Sequence, residues 1–312
     1  MKINNTIFQT ESFQPSAKKA IIDENDILYR IDADNIFIDA SLIPFVEYDK
    51  NCFDYFFSNF QKSHYIKLIR AVQTENERLS KTIVKVKHFD NNYCLLLPKT
   101  IEEYRASLGK KTRMHLGQYL RHMEKELDVN GGGYYVKNFS PENKYIFDKI
   151  NELNKERCLS KGFESGGWNL TLWEKLKDKG VLNYLMIGDE IVAGTISSIY
   201  NNQLCLFAIA HSNDYGKLNP GNCILYKTIE NAIAKKIPVF NFLWGNCEYK
   251  SRFGAKEIQL FDYYICRRKS DYFILKSKLF VKKLIKKIKI AIKFVLRKPY
   301  HIVKRLLRSF LK

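Results

Sequence analysis

The chain has 312 residues, enough for a sizeable core and about two domains. Its seven cysteines include no Cys-x-x-Cys pair and sit mostly in apolar runs, which argues against a disulfide framework and for buried thiols in a reducing compartment. The net charge of +19 is concentrated after residue 266, where 17 Lys and Arg face a single acid, Asp271, so the preceding body is nearly neutral.

In the first hundred residues, strand-like runs at 27–31, 35–40, 65–72, 82–87 and 93–97 surround an aromatic helix near 53–60, a mixed α/β pattern. Thr100 and Glu103 have capping-box spacing, which predicts a long helix to about 127. It carries Arg105, Lys110, Lys111, Arg113 and Arg121 and ends at Asn130-Gly131-Gly132-Gly133. A strand at 134–139 follows, then a helix from Ser140-Pro141 to about 160 and another at 171–179. Hairpin turns are expected at Gly188-Asp189 and Asn201-Asn202.

The apolar strand 204–210 then enters a loop with Tyr215, Gly216, Pro220 and Gly221, followed by a helix, a strand at 239–243 and a turn at Gly245. That order presents helix-start amides between two strands, and Gly221 lets a phosphate come close. Ordinary α/β punctuation explains the same letters, with Asn222 as a local N-cap. Neither a Gly-x-Gly-x-x-Gly nor a Walker pattern is present.

In the tail, Val281, Leu284, Ile285, Ile288, Ile292 and Val295 recur at helical steps, opposite Lys282, Lys283, Lys286, Lys287, Lys289 and Lys293. Pro299 interrupts, and Ile302, Val303, Leu306, Leu307 and Phe310 resume the stripe, so a pair of basic amphipathic helices is expected. Residues 271–312 fit an anionic membrane surface, against the alternative that the stripe packs on the body. The interleaved side chains are aliphatic rather than base-stacking, so nucleic acid is not the expected partner. The opening residues have no apolar core of signal-peptide length, and no run of about 18 apolar residues follows. The expectation is a cytoplasmic protein held peripherally at the inner face of the membrane.

Several segments together resemble a known family: Arg157 with Lys161-Gly162, Ile191-Val192-Ala193-Gly194, Ala208 to Ala210, Pro220-Gly221, Phe240-Asn241-Phe242-Leu243-Trp244-Gly245, and Tyr249-Lys250. The match is to the GNAT acetyltransferase domain of the CelD-type branch, associated with cellulose and other polysaccharide biosynthesis and close to the Fem-type aminoacyl transferases. Asn241 and Asn246 stand where that branch has acids.

The resemblance implies an α/β fold with a GNAT-like mixed sheet flanked by helices, in two tandem halves. The halves would be a degenerate one at 1–99 and an acyltransferase domain at 134–266, joined by the connecting basic helix at 100–130 and followed by the tail at 267–312. It implies acetyl-CoA or another acyl-CoA as co-substrate. Backbone amides of Ile209, Ala210 and His211 would lie along the donor, and Gly216, Pro220, Gly221 and Asn222 would face its pyrophosphate. Tyr249 would be the general acid.

Acyl transfer to an amine also needs a base. Glu248 is nearest the motif and Glu164 lies in a Gly-rich loop, while His211 could relay a proton. Arg157, Glu164, Asn241 and Lys250 form the substrate-binding set, Arg157 through its planar fork and Lys250 as a point charge. No metal is expected, because the six His residues lack ligand spacing and nearby carboxylates. The expected reaction is N-acylation of an amino sugar for a surface polysaccharide. The alternatives are a Fem-type transferase using aminoacyl-tRNA, with helix 100–127 as its basic feature, and a noncatalytic scaffold.

Overall fold

The computed structural model describes residues 20–22, 28–32, 35–39, 57–58, 61–72, 82–160, 162, 176, 180–200 and 202–310. Among the described residues, eleven strands form one mixed sheet in the order β1-β2-β3-β4-β11-β5-β10-β9-β8-β7-β6. Their bounds are β1 Ala20–Ile22, β2 Leu28–Asp32, β3 Asn35–Asp39, β4 Tyr65–Val72, β5 Ile83–Leu96, β6 Gly132–Asn138, β7 Gly180–Ile187, β8 Glu190–Tyr200, β9 Gln203–His211, β10 Val239–Trp244 and β11 Lys256–Cys266. The helices are α1 Ile101–Ser107, α2 Lys110–Asn130, α3 Lys144–Ser160, α4 Pro220–Ala234, α5 Glu248–Arg252 and α6 Lys269–Phe310. This is the mixed, helix-flanked GNAT-like fold that the sequence led us to expect.

Both expected hairpins form: Ile187 pairs with Glu190 across Gly188, and Tyr200 pairs with Gln203. The other strand runs of the later half also fall close to their expected places. The runs 82–87 and 93–97 are one strand, β5, because Asn91 and Asn92 between them continue the pairing with β11 beyond a register shift at 88–90. The long helix from Thr100 is two helices, broken at Leu108-Gly109: Leu108 is extended at ψ 148 and closes α1, and Gly109 caps α2. Thr100 Oγ1 accepts the Glu103 N–H at 3.2 Å, while Glu103 Oε2 accepts from Lys99 N, one residue before a capping box would place it. The Ser140-Pro141 start is a short 3-10 turn, Pro141–Asn143, before α3 begins. The helices expected at 53–60 and 171–179 lie largely outside the described residues.

The tail's helix pair is a single backbone helix, α6, running through Pro299. Proline removes one i→i−4 bond there, and long helical runs on both sides carry the geometry across the gap. No described helix is long and apolar enough to cross a membrane.

Helices cover both faces of the later half of the sheet. On one face Ile146, Phe147, Ile150 and Leu153 of α3 pack on Leu182, Tyr184, Ile196, Ala208 and Ala210. On the other, Cys223 and Ile224 of α4 and Met123 of α2 pack on Leu185, Ile187, Val192 and Ala193. A buried polar chain fixes α4 in place. Asn231 Nδ2 donates to Asn183 Oδ1 (3.3 Å), Asn183 Nδ2 donates to Thr195 Oγ1 (3.3 Å), and the Thr195 and Thr228 hydroxyls bond at 3.1 Å. Stranding one such group would cost about 1–3 kcal/mol, so the chain orients α4 as well as holding it.

Candidate functional site

The site is the place where two neighbouring strands part. β9 and β10 run parallel and pair only from Gln203/Val239 to Cys205/Asn241. Beyond that point β9 continues to His211 on β8, while β10 continues to Trp244 on β5.

The geometry of β10 enforces the parting. Asn241 is fully buried; its Oδ1 accepts the Leu243 N–H at 2.9 Å and its Nδ2 donates to Gln203 Oε1 at 3.3 Å. Leu243 takes a left-handed φ of 57° where the register against β5 slips, a conformation costly for a branched side chain unless it is held. Lys250 holds it. Its Nζ donates to Leu243 O at 3.1 Å and Trp244 O at 2.7 Å, with the Tyr93 ring 5.2 Å away. Asn241 and Lys250, expected to bind substrate, are both buried and hydrogen-bonded to β10 or its neighbour β9.

Burial pushes the Lys250 ammonium down to about 8, with partial relief from Cys247, Asp90 and Cys94. Below pH 8 the native chain carries a charge that its surroundings disfavour. Between pH 8 and the ordinary 10.5 only the unfolded chain keeps the proton, so stability rises with pH across that window. The stability of the native chain relative to a Lys250→Met variant should therefore rise by about 3 kcal/mol over that range. Denaturant unfolding at several pH values checks this, and a flat difference would contradict it.

β9 is re-aimed by a bulge. Its register against β8 slips between Ile196/Ala208 and Ser197/Leu206, leaving Phe207 as the extra residue. Ala208 and Ala210 consequently face α3, whereas Ile209 turns to the opposite side. Ser212 N donates to Val192 O at 2.8 Å, so ladder alternation points the Ala210 N–H at β8 and the Ile209 and His211 N–H groups into the gap. Ala210, expected to contact the donor, is buried and faces away.

The gap opens into a cleft of about 190 Å³ lined by Arg157, Ile209, His211, Gly216, Asn219, Pro220, Gly221, Asn222, Leu225 and Tyr249. Eight of these were expected from the sequence. Asn219 and Leu225 were not, although an Asn before Pro-Gly is a recognisable turn residue.

The N-cap of α4 is Asn219 rather than Asn222. It is left-handed at φ 55°, a conformation Asn tolerates, with Pro220 in the first turn. The amide cradle is narrower than expected, because short-range turns occupy the N–H groups of Gly216, Leu218, Asn219, Asn222 and Cys223. Among the described residues, the N–H groups of Lys217 and Gly221 have no backbone partner. A Cβ on Gly221 would lie 2.7 Å from His211 Cδ2, so the imidazole rests directly on the glycine.

Arg157, in the last turn of α3, donates from Nη2 to Asn154 Oδ1 at 3.0 Å, and its buried Nε has no partner among the described residues. Tyr249 lies in the short helix α5, edge-on to Phe242 with ring centroids 6.3 Å apart. Burial, reinforced by Cys247 and opposed by Arg157, pushes its phenol up to about 12. Tyr104 supports this region through a buried hydroxyl that donates to Phe253 O at 3.1 Å. Glu248 is exposed at the start of α5 and is not among the cleft-lining residues, and Glu164 lies outside the described residues. The structure thus brings together His211, Tyr249, Arg157 and the 216–222 turn.

A family model described as an acetyltransferase (GNAT) domain matches residues 152–251, which run from the second half of α3 through β7 to β10 and α4 to most of α5. No curated protein matches the chain. Among solved structures, the C-terminal domain of a protein described as a lysylphosphatidylglycerol synthetase from Agrobacterium fabrum aligns with a TM-score of 0.55 at 11% identity, covering 83% of this chain and 87% of that one. L-PGS from Bacillus licheniformis aligns at 0.54 with 12% identity, over 87% and 90% of the two chains. FemX aligns at 0.53 with 10% identity, over 82% and 89%. At these identities the likeness is one of fold. The chain therefore carries a GNAT-type transferase fold.

Proposed function

We propose that the chain is an N-acyltransferase that moves an acetyl or other acyl group from acyl-CoA to an amine, an amino sugar of a surface-polysaccharide precursor. The single observation carrying this reading is the cleft between the parted β9 and β10, with Gly221 and the His211 ring packed on it among its lining residues. The Lys217 and Gly221 N–H groups, without a backbone partner among the described residues, suit an anionic co-substrate, and the buried Arg157 Nε, likewise without a partner among them, suits an anionic group of the acceptor. Acyl-CoA supplies the acyl group already activated as a thioester.

In this reading the Ile209 and His211 N–H groups bond along the donor arm and its carbonyl. The Lys217 and Gly221 N–H groups, with the turn from Gly216 to Asn222, meet the diphosphate. Tyr249, held protonated by burial, gives its proton to the departing sulfur. Arg157 takes an anionic group of the acceptor through its fork. Glu248 accepts the amine proton, with His211 as relay. The CelD-type affiliation, the division at 1–99, 100–130, 134–266 and 267–312, and a cytoplasmic location at the inner face of the membrane belong to the same proposal.

A mass-spectrometric screen of amino sugars incubated with the protein and acetyl-CoA tests it. Acetylated product from an amino sugar is expected, and no product from any amine would count against it.

A second reading, aminoacyl transfer from charged tRNA, is favoured by the FemX-like fold and by exposed Lys110, Lys111, Arg113 and Arg121 on α2, which packs beside α4. A gel shift with aminoacyl-tRNA separates the two. A noncatalytic scaffold would instead leave the folded chain silent toward both donors.

A further inference from the structure

Helix α6 is anchored at its root and bare beyond it. Arg267 Nε donates to Ser63 O at 3.0 Å, and His64 Nδ1 pairs with Asp271 Oδ1 at 3.1 Å. Asp271 Oδ2 accepts from Arg268 N at 3.2 Å, and Leu275 is 7% exposed. From Lys276 to Ile292, every residue whose burial is described is exposed, except the half-buried Leu279. Val281, Leu284, Ile285, Ile288 and Ile292, the sequence's apolar stripe, are 47–51% exposed. The stripe does not pack on the described body, so the sheet is not what covers it.

We infer that α6 lies in the plane of an anionic bilayer surface, with this stripe in the acyl boundary and the flanking lysines at the headgroups, and that its anchored root keeps the body at that surface. The helix has 42 residues, about 63 Å of in-plane length, and is too charged to span. Lys282, Lys283, Lys287 and Lys289 are exposed around the stripe. A second copy would bring two such rows together with nothing to neutralise them, and nucleic acid would leave the aliphatic row in water. An anionic lipid surface satisfies both the charge and the apolar row. The inference rests on the acyl-transfer reading only for the choice of leaflet.

Co-sedimentation of the full chain with phosphatidylcholine vesicles, with and without phosphatidylglycerol, tests it. Binding should be at least about tenfold tighter with phosphatidylglycerol and should weaken with salt. A Leu284→Asp, Ile288→Asp variant should lose about tenfold or more of it. A Lys282→Gln, Lys283→Gln, Lys287→Gln variant, which keeps the stripe and the helix, should lose the anionic preference. Absent binding, equal binding to both vesicles, or unchanged binding by the variants overturns the inference. So does a dimer, seen by sedimentation, that the Asp variant dissociates without any lipid binding. CoA titration of the same variants should be unaltered, so a failure at the cleft is distinguishable from a failure at the helix.

Discussion

Replacing Tyr249 by Phe should lower kcat by about a hundred- to a thousand-fold, with little change in donor affinity. The ring stays, so its edge-on contact with Phe242 and its place in the cleft wall are retained. Only the proton is lost. With the phenol pushed up to about 12, the acid is present throughout the neutral range, and the wild-type pH-rate profile should show no falling limb from this residue until pH approaches that value. An aryl thioester, whose thiolate leaves without needing a proton, should recover most of the lost rate in the variant. Steady-state kinetics with both donors reads this directly. Equal turnover of wild type and variant on acyl-CoA would remove Tyr249 from the mechanism.

Gly221→Val should weaken CoA binding by about ten- to a hundred-fold, the loss expected when a bond to a charged group is blocked. The glycine is there for space rather than for an unusual backbone angle: its φ is not positive, yet any Cβ meets the His211 ring at 2.7 Å. A branched side chain must displace the imidazole and cover the free N–H together. Gly221→Ala should give a smaller effect of the same sign. Calorimetric titration with CoA, beside a melting curve to confirm folding, measures both variants. Unchanged affinity for the valine variant would mean that the α4 start does not meet the donor.

The later half of the fold was legible because local punctuation decides it. Two hairpins with short polar turns, the Pro-Gly entry into α4 and the apolar runs of β9 and β10 each follow from residues close in sequence. The order of strands was hidden for the opposite reason. β11 inserts between β4 and β5, pairing Cys266 with Tyr65 and Lys256 with Cys94, and nothing local announces a partner so distant in sequence. The break at Gly109 was masked by the strong helical letters on either side.

At the site, the lining was mostly readable and the roles were less so. A bulge at Phe207 decides whether Ile209 or Ala210 faces the cleft, and periodicity carries no mark of it. Lys250 reads as a point charge for substrate, and the structure has it 3% exposed and bonded to two carbonyls. Asn241, a departure from the related branch, bonds the Leu243 N–H within β10 and Gln203 of β9.

The central claim is that the parted β9 and β10 grip the diphosphate of a coenzyme through the start of α4. Calorimetric titration of the full chain with CoA and with pantetheine, which has the same thiol arm and no diphosphate, tests it most directly. Micromolar binding of CoA, with pantetheine at least about a hundredfold weaker, is the predicted result. A folded chain that binds neither compound, or binds both alike, would contradict it.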